Sequence, residues 1–243
     1  MARSRRSGCL ILVLILVVIL CGVGFAVDRA VASAADERLN AAVAQNLRDN
    51  GTPAQSTSVE TIGFPFLTQL LSGDFDGADV RLNSVKTSEG TVDRVDLKLR
   101  NVSIPQDVLR GGQLHDVTAK SITGTGHVSV AEIARRLGVT GLKLESAGPA
   151  LRATLPVEVP VVGSIEVRAD VTPKLDGNTL TFDVGTVSAA GITVPSAVVD
   201  EITRQFARPV ALPLPFEVKL DKVTASKGSL QVTGSATNVP LVQ

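Results

Sequence analysis

The sequence predicts an α+β fold, with antiparallel β-structure following one N-terminal apolar helix. Three patterns carry that prediction. An uncharged apolar run of membrane-crossing length opens the chain, a helical repeat follows it, and beyond Thr57 short alternating runs are punctuated by Gly, Asn, Asp and Pro.

The opening run, Cys9 to Val27, spans 19 residues dominated by Leu, Ile and Val. About 20 apolar residues at 1.5 Å rise cross the hydrocarbon core of a bilayer. Arg3, Arg5 and Arg6 precede it and no acid occurs before Asp28, so the positive-inside rule keeps the N-terminus cytoplasmic and exports the remainder. The expected division is 1–27, a basic tip with a transmembrane or signal-anchor helix, and 28–243, an exported domain. Two fates of the run stay open. It is retained as a single-pass anchor, or cut after Ala34, where Ala32-Ser33-Ala34 offers small residues, to leave a secreted or periplasmic domain. Cys9 and Cys21 both lie in the run, so the outer segment has no disulfide framework. Leu20 stands where a lipid-modified cysteine at position 21 needs a small residue, which favours a plain membrane cysteine.

Without the first 27 residues the chain carries 21 basic against 24 acidic groups. No basic nucleic-acid footprint exists. Trp and Tyr are absent, which removes the stacking platforms that bases and sugars use.

From Asp28 to Asn50, Val31, Ala35, Leu39, Ala42, Val43 and Leu47 recur at helical steps, with Gly51 and Pro53 as the stop. This helix is expected to continue directly from the apolar run. Alternation then marks strands at Val92, Val95, Leu97 and Leu99, and at Ile165, Val167, Ala169 and Val171. Asp176-Gly177-Asn178 turns the chain into Leu180, Phe182 and Val184, and Ser226-Lys227-Gly228 joins Phe216, Val218 and Leu220 to Leu230 and Val232. Two helices interrupt the strands. One follows the capping box Ser129-Val130-Ala131-Glu132 and stops at Gly138, and the other runs from about Pro195 to Phe206. Val102-Ser103-Ile104-Pro105-Gln106 and Ile192-Thr193-Val194-Pro195-Ser196 rhyme as strand, proline, helical turn, through duplication or chance alike.

No catalytic frame surrounds His115 or His127, the only histidines, and each reads as a surface or hydrogen-bonded structural residue. Asp74, Asp76 and Asp79 lack the spacing of a calcium loop and read as an acidic turn ahead of a strand at Val80. Thr123-Gly124-Thr125-Gly126 lacks a phosphate-loop lysine and reads as a bend or bulge. Gly63-Phe64-Pro65-Phe66-Leu67-Thr68-Gln69-Leu70-Leu71 is the unusual segment, holding two of the six aromatics beyond Val27 beside three leucines. Core packing explains it, and so does the mouth of a lipid site, where each buried CH₂ contributes about 0.8 kcal/mol.

That segment, with Leu214-Pro215-Phe216-Glu217-Val218-Lys219-Leu220 and Ser229-Leu230-Gln231-Val232-Thr233-Gly234, resembles the LmeA family of actinobacterial cell-envelope phospholipid-binding proteins. The family commonly has Gly where this chain has Glu217. The resemblance implies a curved antiparallel sheet wrapped on long helices, similar to tubular lipid-binding (TULIP-like) domains, with an apolar interior for acyl chains. Anionic phospholipids are the implied ligands. In mycobacteria the family is associated with mannan elongation on lipid-anchored glycans, and lipid binding rather than that pathway is what carries over.

The expected protein is therefore a non-enzymatic, membrane-tethered phospholipid binder supporting envelope lipid or lipoglycan assembly. Phe64, Pro65, Phe66, Leu67, Leu70 and Leu71 are expected at its lipid entrance, with Arg135 and Arg136 as head-group candidates. No catalytic residue, metal, cofactor or nucleic acid is expected. Partners would be phospholipid, the membrane and envelope glycan-assembly enzymes. The alternative is a non-catalytic envelope scaffold with a packed core.

Overall fold

The structure is a computed structural model that describes residues 5–241 except 89, 114, 139, 149, 160–162, 190–193, 195, 207–209, 212–217 and 227. Ile192, Thr193 and Pro195 of the second copy of the rhyme, and Leu214 to Glu217 of the C-terminal motif, lie outside the described residues.

A single helix, α1 (Arg5–Asp49), carries both the apolar run and the amphipathic repeat. No Pro interrupts it, so the hydrogen-bond ladder continues unbroken across Asp28, the first charge after the apolar run. Its 45 residues extend for about 67 Å. The end is a Schellman cap: Gly51 at φ 70° lets its own N–H reach Arg48 O at 3.0 Å and the Thr52 N–H reach Leu47 O at 2.8 Å.

After α1 come β1 (Ala54–Ile62), α2 (Phe66–Ser72), β2 (Asp74–Thr87), β3 (Gly90–Ser103), α3 (Gln106–Leu109), β4 (Thr118–Ser129) and α4 (Val130–Leu137). The second half holds β5 (Lys143–Ala147), β6 (Ala150–Val159), β7 (Gly163–Asp176), β8 (Thr179–Ala189), α5 (Ser196–Phe206), β9 (Val210–Ala211), β10 (Lys219–Ser226) and β11 (Ser229–Pro240). Every pairing is antiparallel. The strands form two sheets rather than the one suggested by the resemblance, in the orders β1-β2-β3-β4-β11-β10 and β5-β6-β7-β8-β9. Only α1 is long.

Helix α1 lies against β1, the edge of the first sheet, where an open row of N–H groups would otherwise template aggregation. Asp36 Oδ1 accepts the Thr61 N–H at 2.9 Å, tying helix to edge.

Register sorts the first sheet into two faces. Leu82-Val95-Gly126-Val232-Val223 and Val80-Leu97-Gly124-Gly234-Leu220 form neighbouring apolar rows. The opposite face is polar, with Arg81 and Arg94 on Asp96 at 2.9 and 2.8 Å and Arg100 on Asp79 at 2.7 Å. One row breaks the alternation: Asn101 and Asn238, both at positive φ, flank Lys120. Asn tolerates this left-handed backbone better than most residues. Beyond that row the inward positions change parity, so Leu99 and Val102, Ile122 and Ala119, and Ala236 and Val239 share one core.

A second core joins the sheets. Leu151, Val167, Val171 and Phe182 from the second sheet pack with Val130 and Ile133 of α4, Phe206 of α5, and Ala225 and Leu230 of the first sheet. Phe182 and Phe206 meet edge to face at 6.4 Å.

Three local expectations change. Asp74 to Asp79 is not a turn, because β2 begins at Asp74 and pairs on both sides through Gly77. Thr123 to Gly126 contains no bulge and keeps unbroken register with β3 and β11. Half of the capping box forms: Ser129 Oγ accepts the Glu132 N–H at 3.3 Å, whereas the Glu132 carboxylate accepts from Thr91 N at 3.1 Å and from Arg135. A neighbouring strand competes successfully for that carboxylate, which is nine-tenths buried.

Candidate functional site

The Phe64 to Leu71 segment folds as an extended entry, a cis Phe64–Pro65 bond and the short helix α2. Its side chains divide. Phe66 is buried at 4 % exposure with its ring 5.8 Å from Phe75, and Gln69 is buried with Oε1 accepting the Asp76 N–H at 2.7 Å. Leu67 and Leu70 are half-buried, whereas Pro65 is exposed. Phe64 and Leu71 point outward, 54 % and 79 % exposed.

This segment docks on α1. The start of α2 lacks a local side-chain cap, and Asp28 supplies one from 39 positions away, its Oδ1 accepting the Leu67 N–H at 2.8 Å. Asp28 is only 2 % exposed despite being the first charge after the apolar run. One helical turn earlier, the Phe25 ring lies 5.5 Å from that of Phe64, and the Arg29 guanidinium sits 5.7 Å from both rings. Phe25, Asp28 and Arg29 were not expected in the site. Their signal in the sequence was the abrupt change from apolar to charged residues, which says nothing about what packs there.

Phe66 also leads inward. Phe75 packs on the core containing Leu99, and from there the apolar rows of the first sheet run past Leu97 and Val95. Val80, Val95 and Leu97 are only half-buried. Between Val95 and Val232, Gly126 offers no side chain, and a Cβ placed there would meet nothing within 4 Å. The result is a local gap in the apolar face at Gly126, whereas in the neighbouring row Leu97 covers Gly124 and Val218 and Leu220 cover Gly234.

Arg135 and Arg136 do not join this site. Both converge on Glu132, at 2.5 and 3.4 Å, beside Thr91 near the start of β3. Phe75 pairs with Val102 at the other end of that strand. Fourteen residues of β3 separate the two ends by about 40 Å at roughly 3.3 Å per residue. The hydrogen bond from Arg135 holds the Glu132 carboxyl below its usual pKa, so the cluster keeps its anion at neutral pH.

The histidines are both engaged with neighbours. His127 Nε2 lies 3.4 Å from Asp96 on the polar face. His115 Nε2 lies 2.6 Å from Asp107, with Asp116 at 3.3 Å from the other ring nitrogen. The Asp107 bond raises the His115 pKa above its ordinary value. A raised pKa means that this clamp is fully present below about pH 6.5 and is lost as pH rises through the folded value. We expect NMR titration to place His115 above an unperturbed histidine, and Asp107→Asn to move it back down.

A cavity of about 550 Å³ lies on the second sheet, lined by polar and charged residues including Lys143, Arg152, Arg168, Glu145, Glu166 and Asp170. It does not reach the Phe64 to Leu71 segment, and its balanced charges favour neither an anion nor an acyl chain.

A family model described as LmeA-like phospholipid-binding matches residues 26–235. No curated protein and no solved structure matches the chain. The matched region starts at the last turn of the apolar run, covers the docked α2 segment and the strands of both sheets, and ends in the last strand, so the chain belongs to the LmeA-like phospholipid-binding family.

Proposed function

We propose that the protein is an exported, membrane-tethered phospholipid-binding protein that takes acyl chain into a trough on the apolar face of its first sheet. The single observation carrying this reading is the gap at Gly126, open for at least 4 Å among half-buried Val and Leu side chains. A packed scaffold has no need of that gap, since interiors lose dispersion contacts wherever partner atoms are missing. Phe64, Pro65, Phe66, Leu67, Leu70 and Leu71 form the entrance in this reading, with Phe66 and Phe75 as the inward step. The two apolar sheet faces take the place of the interior of a tubular lipid-binding domain.

Helix α1, long and apolar enough to cross a membrane, serves as the tether, with the arginine-rich tip in the cytoplasm. Anionic phospholipid is the preferred ligand, delivered to or held for envelope lipid and lipoglycan assembly. Arg135 and Arg136 are the weaker head-group candidates, because Glu132 already engages both.

Gly126→Leu tests the trough. The leucine enters open space on a strand backbone, so the fold tolerates it, but it displaces ligand. Losing two buried methylenes costs about 1.6 kcal/mol, roughly fifteenfold in Kd. Native mass spectrometry and lipid extraction of the purified full chain should show phospholipid retained by the parent and depleted in the variant. No retained phospholipid in either, with no binding to phosphatidylglycerol or phosphatidylinositol vesicles beyond insertion of the helix, returns the scaffold reading.

A further inference from the structure

Among the described residues, the large hydrophobic side chains that stand exposed outside α1 are Phe64 and Leu71, both on the α2 segment. Within α1 they lie at Val18, Ile19, Leu20, Val23, Phe25 and Val27, in the apolar run, and at Leu39. Exposed apolar side chains concentrated in this way mark a contact surface rather than scatter. What covers it follows from depth. Phe25 belongs to the uncharged run that ends at Val27, and the Phe64 ring is 5.5 Å from the Phe25 ring. Whatever surrounds Phe25 therefore reaches Phe64. Asp28, the first charge after the apolar run, would be costly at that level, yet α2 shields it and its Oδ1 receives the Leu67 N–H. Arg29 remains exposed beside both rings, at the height where a bilayer changes from acyl chain to phosphate.

We infer that the α2 segment is a second membrane contact, with Phe64 and Leu71 inserted into the outer acyl-chain boundary of the same bilayer that α1 crosses and Arg29 at the phosphate level above them. This rests on the proposed retention of α1 as an anchor, and it adds a second point that fixes the orientation of the domain. A helix alone lets the domain rotate and tilt over the surface. A second contact beside it holds the entrance facing lipid, so an acyl chain passes from bilayer to trough without crossing water.

The test uses the full chain with Cys9→Ala and Cys21→Ala, bearing one nitrobenzoxadiazole-labelled cysteine at position 71, 20 or 178. The carrier is phosphatidylcholine/phosphatidylglycerol vesicles containing phosphatidylcholine spin-labelled near the head of the acyl chain. Leu71 is 79 % exposed, so Leu71→Cys leaves packing intact, and Asn178 sits in the exposed β7–β8 turn. The expected result is a fall of at least about half in emission at positions 71 and 20 and little change at 178. Quenching at 20 with none at 71 overturns the second contact and leaves the anchor standing. Quenching at 71 with none at 20 removes the anchor and supports the patch as a peripheral contact. No quenching at either position overturns both.

Discussion

Replacing Gly77 by alanine is expected to lower the stability of the detergent-solubilised chain by about 3 kcal/mol or more, seen as an earlier midpoint in urea unfolding. Gly77 sits in β2 at φ 153° with both neighbours paired, Ile62 on one side and Arg100 on the other. A Cβ there would lie 2.1 Å from the Leu99 carbonyl oxygen and 3.1 Å from its carbon. These are backbone atoms within a hydrogen-bonded ladder, so no rotamer change relieves the clash, and β2 must move off β3. The same stretch anchors the α2 segment through the Asp76 N–H on Gln69, while the Ser103 hydroxyl on Asp74 at 3.0 Å ties β3 to the start of β2. Loss of the ladder therefore loosens the site as well as the sheet. We expect protease cleavage between Phe64 and Gly73 to rise in parallel with the shift in urea midpoint. An unchanged midpoint would show that β2 and β3 can separate here at little cost.

Asp28→Ala is expected to cost about 2 kcal/mol, the value of a charge-assisted hydrogen bond together with the first N–H bond of a helix left unmade. The side chain is buried, so water does not readily take its place at the Leu67 N–H. Asp28→Asn should cost less, because an amide oxygen still accepts that bond. The pair of variants separates hydrogen bonding from charge in one urea series. If α2 is held to α1 chiefly through Asp28, Asp28→Ala also raises hydrogen exchange across residues 66–72 before the sheets open. Equal effects of Ala and Asn would assign the stabilisation to the carboxylate charge instead.

The class of elements, and the helix that precedes them, are legible in the pattern of residues along the chain. Local patterns suffice for that: an uncharged run fixes membrane length, helical periodicity from Val31 to Leu47 fixes the amphipathic continuation, and Gly177 and Gly228 place two tight turns. Ser129 and Gly138 bounded α4 because caps are made within a few residues of the helix they close. The Phe64 to Leu71 segment was also legible as unusual, through its density of aromatic and aliphatic residues. Which of its side chains turned in and which turned out was not, because Phe66 and Phe64 differ only in whether Phe75 or Phe25 meets them, and both partners are distant in sequence.

Tertiary structure decided what local pattern cannot express. The division into two sheets depends on pairings such as β4 with β11, a hundred or more positions apart. Strict alternation predicts one apolar face and misses the parity change at Asn101 and Asn238, since it arises where two left-handed residues flank the same row of the sheet. The acidic stretch from Asp74 reads as a turn until β1 and β3 supply hydrogen bonds on both sides. Glu132 leaves its capping box because Thr91 and Arg135 offer a better site for a buried carboxylate. Asp28 gains its role through the same physics, a charge at the end of an apolar run that is stabilised only because folding places an unpaired N–H beside it.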